Sequence, residues 1–174
     1  MPELHRSKRL ADLRKHPLWS DMFNRLLQLL QRGGMAGLLG EKGTGKTQMA
    51  AEAIRAFAAE GKNAIYMRAQ ELFDTARDAY NKKISEKEAI RRLVKTNLLV
   101  IDECQDRSNS EYEHRVLTLI SDIRYGAMLP TLYMANLDAQ KMREQLGGSI
   151  SSRIDEMGTI FMCSWPSFRK VQNG

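Results

Sequence analysis

The stretch MAGLLGEKGTGKTQMA, residues 35–50, decides the fold. Five apolar residues, 35–39, read as a strand, and they run directly into GEKGTGKT at 40–47 and then into a helical pattern. The eight residues satisfy G-x-x-x-x-G-K-[ST] at every fixed position, in the strand–loop–helix setting the mechanism needs. Glycines let successive backbone N–H groups turn inward around a phosphate with no Cβ in the way, and the following helix aims its positive end at the same anion. Gly40, Glu41, Lys42, Gly43, Thr44, Gly45, Lys46, Thr47 and Gln48 are therefore the candidate nucleotide-binding residues. In such a loop Lys46 reaches the β- and γ-phosphates of ATP, and the Thr47 hydroxyl ligates Mg²⁺.

Outward from this loop the chain alternates strands and helices. Four further apolar runs, at 63–67, 97–102, 130–136 and 159–163, are continuous rather than alternating, as in strands buried on both faces of a parallel sheet. Helical patterns fill the gaps. One covers residues 18–32, with Trp19, Phe23, Leu26, Leu27 and Leu30 on one side, and ends at Gly33-Gly34. Others span 46–60, 70–80 with Leu72, Phe73, Ala76 and Tyr80, and a segment opened by the capping box Ser85-Glu86-Lys87-Glu88 that carries Ile90, Leu93 and Val94. A longer helix at 111–125 is expected to turn Tyr112, Val116, Leu119, Ile120 and Ile123 inward. The alternation predicts an α/β sandwich with helices on both faces of a parallel sheet.

Composition sets the class. At 174 residues, 43% hydrophobic and 28% charged, the chain fits one globular domain with a genuine core. No apolar run reaches a membrane span, the start MPELHRSKRL lacks the apolar core of a signal peptide, and Cys104 and Cys163 have no metal-type spacing. The cytoplasm is the expected compartment. The net charge of +6 is concentrated in HRSKRLADLRKH and NKKISEKEAIRRLVK, a distribution suited to nucleic-acid phosphates or simply to a solvated face.

Three further positions carry candidate chemistry. NLLVIDE ends on Asp102 and Glu103 at the carboxyl end of a buried strand, where α/β proteins place their ligands. Asp102 suits the Mg²⁺ shell, and Glu103 suits a general base that polarises water. Asn136 closes the fourth strand, where its amide could orient water or the γ-phosphate, or where Asn136 or Asp138 could cap the next helix. Arg153 in SISSRIDEMG is either a surface charge paired with Glu156 or a catalytic group with no partner in its own molecule.

The P-loop, LLVIDE, PTLYMAN and SSRI, in this order and spacing, resemble the AAA+ ATPases. LFDTARDAYN and LGGSISSRIDEMGTIFMCSWPSFR resemble, more closely, the DnaC-type loaders of the bacterial replicative helicase and their IstB relatives, and the ending SWPSFR looks more like that of a loader. The resemblance implies a P-loop NTPase, a three-layer sandwich whose five-stranded parallel sheet has the order 5-1-4-3-2, with no C-terminal lid. It implies Walker A at residues 40–47, Walker B at Asp102 and Glu103, sensor 1 at Asn136, and at Arg153 an arginine finger for a neighbouring subunit. It places the helices at 70–95 as an insertion lining a single-stranded DNA path, with Lys82, Lys83, Arg91 and Arg92 as candidate contacts. A basic helical extension (1–34) precedes the ATPase domain (35–174); either its helix and basic flank do the work of the larger helicase-gripping module of known loaders, or the chain is a minimal or truncated relative. The implied function is helicase loading driven by ATP and Mg²⁺, with nucleotide-dependent self-association. An IstB-like role beside a transposase is the alternative. A P-loop small-molecule kinase is a third reading, disfavoured because NLLVIDE with its following Glu suits water attack.

Overall fold

The computed structural model describes residues 16–81, 85, 88, 90–108 and 110–168. The elements, in chain order, are α1 (Pro17–Gln31), β1 (Met35–Gly40), α2 (Lys46–Ala59), β2 (Ala64–Arg68), α3 (Ala69–Asn81), α4 (Arg91–Lys95), β3 (Leu98–Asp102), α5 (Glu111–Gly126), β4 (Thr131–Ala135), α6 (Ala139–Leu146), α7 (Gly148–Met157) and β5 (Thr159–Cys163). The strands form one parallel sheet of order β2-β3-β4-β1-β5, the order the resemblance implies. β1 lies inside the sheet, between β4 and the edge strand β5, so the loop leaving its end opens above an interior strand.

Each central strand sends alternate side chains into two separate cores. Leu98, Val100, Leu132, Met134, Ala36 and Leu38 meet α1 and α2 through Trp19, Leu26, Leu30, Met49 and Phe57. Leu99, Ile101, Tyr133, Ala135, Met35 and Leu39 meet helices α3 to α7 through Phe73, Leu93, Val116, Ile120, Leu146 and Ile154. β3 and β4 are buried at every position, which explains their unbroken apolar runs. β2 and β5 are only partly buried because they are the sheet's edges.

The expected inward face of the long helix is borne out at Val116 and Ile120, and the structure adds polar residues to it. α5 buries Glu113, Val116, Leu117, Ile120, Ser121 and Arg124, while Tyr112, Leu119 and Ile123 are half-exposed. Most polar atoms of that face are paired where they sit, and one Glu113 carboxylate oxygen is buried without a partner among the described residues. Ser121 donates to the Leu117 carbonyl and shares a hydrogen bond with the Tyr133 hydroxyl at 2.7 Å. The Glu113 carboxylate accepts from the Ser108 hydroxyl at 2.8 Å.

Arg124 is fully buried. Its guanidinium donates to Thr131 Oγ1 (2.8 Å) and to the carbonyls of Leu93 (2.8 Å), Thr96 (2.8 Å) and Pro130 (2.6 Å), tying the end of α5 to the end of α4 and the start of β4. Burial lowers its pKa to about 10, still far above neutrality, so it remains a cation and a donor at every contact. Arg124→Met leaves those carbonyls buried without their donor, and urea denaturation should show a loss of about 3 kcal/mol. Arg124→Lys should recover little of it, because an ammonium cannot reproduce the planar fork.

Candidate functional site: a phosphate cradle at the carboxyl edge of the sheet

The loop at residues 40–47 leaves β1 and enters α2 with Gly43 (φ 89°) and Gly45 (φ 85°) in the left-handed region, where a side chain would be strained. Gly45 is the N-cap of α2, so the helix's free amides face the loop. Thr44 Oγ1 donates to the Glu41 carbonyl at 2.9 Å. Lys46 is nearly buried and folds over the loop, with Nζ donating to the carbonyls of Gly40 (2.7 Å) and Glu41 (2.8 Å). A cation held by neutral carbonyls at the N-terminus of a helix suits an anion of several oxygens.

The acidic pair stands two strands away along the same edge. Asp102 ends β3 and is buried; its carboxylate accepts from the Tyr66 hydroxyl and, at 2.7 Å, from the Glu103 N–H. Burial first, and then the Asp102 carboxylate it donates to, push the Tyr66 phenol well above its usual pKa, so it stays a protonated donor. Glu103 follows with φ 56°, a left-handed conformation that costs a residue with a side chain about 1–2 kcal/mol. The turn is tight because the next residue, Cys104, returns at once to the sheet and donates its N–H to the Met134 carbonyl at 3.0 Å. The Glu103 carboxylate pairs with Arg68 Nε at 3.0 Å, at the end of β2.

Asn136 lies between these groups, just past the end of β4, with its N–H on Gln105 Oε1 at 3.0 Å. The cap of the next helix is Asp138, whose carboxylate accepts from the Lys141 N–H at 2.8 Å. Of the two readings of Asn136, the cap thus belongs to its neighbour, and the Asn136 amide is uncommitted to that task.

The family profile described as "IstB-like ATP binding protein" matches residues 26–147. The chain belongs to this family. The replicative helicase loader DnaC of Escherichia coli (strain K12) is 28% identical over 139 residues, covering 78% of this chain and 56% of that protein. The chain therefore spans about half the length of that curated relative. The crystal structure of the DnaC helicase loader superposes with a TM-score of 0.72 at 16% identity, covering 90% of this chain and 93% of that one. The replication initiator DnaA bound to AMPPCP and single-stranded DNA gives a TM-score of 0.75 at 17% identity, covering 95% and 51%. Fold and family agree: this IstB-like chain has the P-loop AAA+ architecture.

The remaining candidates lie elsewhere on the IstB-like fold. Arg153, on α7, does not pair with Glu156. Its guanidinium binds Asp122 Oδ1 at 2.8 Å and the Ser149 carbonyl at 2.7 Å, and covers the Tyr125 ring at 5.3 Å. Helical geometry allowed the Glu156 pair, but α5 packs alongside and offers a carboxylate, while Glu156 accepts from the Tyr125 hydroxyl instead. Asp122 and Tyr125 belong to the last turns of α5, which descends toward the start of β4. Arg153 thus faces the edge opposite its own cradle. Arg91 and Arg92 line a cleft of about 410 Å³ with Lys95, Asn63 and Ile65, and Arg91 is paired with Glu88 at 3.1 Å. Lys82 and Lys83 lie outside the described residues.

Arg68, Tyr66 and Gln105 are site residues that the sequence reading missed. The signal was indirect: with β2 beside β3, Arg68 pairs in register with Asp102, so the strand order alone brings it to the acidic pair. Among the described residues no group of three or more His, Cys, Asp or Glu side chains could hold a metal, and no helix is long and apolar enough to cross a membrane.

Proposed function

We propose that this chain binds ATP with Mg²⁺ in the 40–47 loop, hydrolyses it, and uses the nucleotide to control its assembly with a replicative helicase, with single-stranded DNA and with further copies of itself. The observation that carries this reading is the placement of a lysine-filled amide cradle, a buried carboxylate and a second, strained carboxylate along one edge of one sheet. The residues present fit Mg²⁺: the Thr47 hydroxyl and the Asp102 carboxylate offer only hard oxygen ligands, and a magnesium ion of this kind takes its other ligands from water and phosphate. When bound it neutralises charge on the transferring phosphate. The chain's own groups supply the rest. The loop amides and Lys46 orient the phosphates, the Asn136 amide holds the γ-phosphate or the attacking water, and Glu103 accepts the proton that water loses. The Arg68 pair must open for Glu103 to do so, which makes the carboxylate a base held in reserve.

The helicase and DNA partners are drawn from the loader relative and from the DnaA neighbour's single-stranded DNA. Arg91, Arg92 and Lys95 are the described basic residues that DNA would meet. The family's IstB name supports a second reading, in which the same ATPase works beside a transposase.

Titration of a fluorescent ATP analogue into wild type and Lys46→Ala protein tests the nucleotide site. Removing the lysine's charge-assisted bonds should weaken binding about 10- to 100-fold. Equal affinities would remove the 40–47 loop from the site. A pull-down with and without ATP separates the partner readings: a replicative helicase supports loading, and a transposase supports the second.

A further inference from the structure

We propose that residues 164–168 are a strap that sets the phosphate cradle, and that Trp165 is a positioning residue acting through the Thr44–Gly45 peptide. The inference rests on the nucleotide reading above and deepens it.

β5 follows the P-loop beyond the sheet. Its last residue, Cys163, pairs with Gly40 so closely that a Cβ on Gly40 would come within 2.6 Å of the Cys163 carbonyl oxygen. The chain then continues along the outer wall of the loop. The Trp165 indole Nε1–H donates to the Thr44 carbonyl at 3.0 Å, and the Phe168 N–H donates to the Gly43 carbonyl at 3.0 Å. His16, which caps α1 by accepting from the Trp19 N–H, presses on the strap from behind. Its ring lies 5.8 Å from that of Trp165 and 5.4 Å, edge-on, from that of Phe168.

Peptide planarity turns these two outward bonds into an inward effect. In a trans peptide the C=O and the following N–H point in opposite directions. Holding the Gly43 carbonyl toward the strap therefore directs the Thr44 N–H into the loop, and holding the Thr44 carbonyl does the same for the Gly45 N–H. Gly43 and Gly45 are flexible about φ and would otherwise let both peptides rotate. The strap thus fixes two donors of the cradle before any phosphate arrives, which spares the binding step the cost of ordering them.

Packing alone does not account for the indole bond. Trp19 lies in the same core cluster, fully buried, and its Nε1 has no hydrogen-bond partner among the described residues. This fold tolerates a buried tryptophan N–H without an acceptor, whereas that of Trp165 is aimed at the P-loop.

Trp165→Phe keeps an aromatic ring, smaller than the indole, and removes the donor; Trp19→Phe makes the same truncation elsewhere in the core. Measured well below the melting temperature, ATP, ADP and inorganic pyrophosphate should each bind about tenfold more weakly than to wild type. The equal loss with pyrophosphate marks an effect on phosphate contacts, which a general loosening of the fold would not single out. Trp19→Phe should bind all three as wild type does. Wild-type affinity in Trp165→Phe, or a loss confined to its unfolded fraction, overturns the proposal. Should that variant fail to fold, the ¹⁵N spectrum of the wild type decides. ADP should shift the Trp165 indole resonance together with the Thr44 and Gly45 amides and leave the Trp19 indole in place; an unmoved Trp165 resonance overturns it. Wild-type protein that binds neither nucleotide nor pyrophosphate would instead overturn the nucleotide reading, and this one with it.

Discussion

Arg153→Ala is expected to lower ATP hydrolysis by about 10³–10⁵-fold in assembled protein, the range in which a trans-acting arginine works in related NTPases. The reason lies in where the side chain is. Within its own chain it is bound to Asp122 and Tyr125 on the last turns of α5 and to Ser149 on its own helix, toward the edge of the sheet opposite the cradle. A second chain whose cradle faces that flank can receive it, once the Asp122 pair is exchanged for phosphate. Mixing Arg153→Ala with Lys46→Ala protein provides the decisive measurement. One interface type in the mixture has an intact cradle on one side and an intact arginine on the other, so partial activity should return. No recovery at any ratio, with assembly confirmed, would leave Arg153 as the α5–α7 ion pair it forms in the single chain.

Glu103→Gln is expected to bind ATP and to hydrolyse it about 10²–10⁴-fold more slowly, the usual loss when a general base is removed. The amide is nearly isosteric, so the Asp102 carboxylate keeps its bonds to the Tyr66 hydroxyl and to the backbone N–H of residue 103. What disappears is the proton acceptor, together with the charge that holds Arg68. Single-turnover hydrolysis with pre-bound ATP reads the chemical step without the binding step. A wild-type rate there would move the base to another residue.

The elements and the 40–47 loop were legible because their causes are local. A continuous apolar run marks a doubly covered strand, and the spacing of glycines, lysine and threonine at 40–47 is itself the geometry of the loop. The strand order was legible only through resemblance, since an apolar run states that a strand is buried and not which strand lies beside it. α5 shows where pattern reading fails. Hydrophobicity favoured Leu119 and Ile123, yet Ser121 and Arg124 take buried positions because partners on other elements satisfy them, and Glu113 does so with a bond from the neighbouring loop. Glu103's left-handed backbone and the Arg68 contact were hidden for a related reason. Both arise only when β2, β3 and β4 come together, and no window of neighbouring residues contains that information.

The buried guanidinium of Arg124 has one more consequence. By holding the Leu93 and Thr96 carbonyls, it anchors the short helix that carries Arg91, Arg92 and Lys95 to the core. Those cations are thus carried on a helix fastened to the core. A polyanion docking there would spend little conformational entropy on the protein side, so its affinity would be governed mainly by counterion release and by the ionic strength of its surroundings.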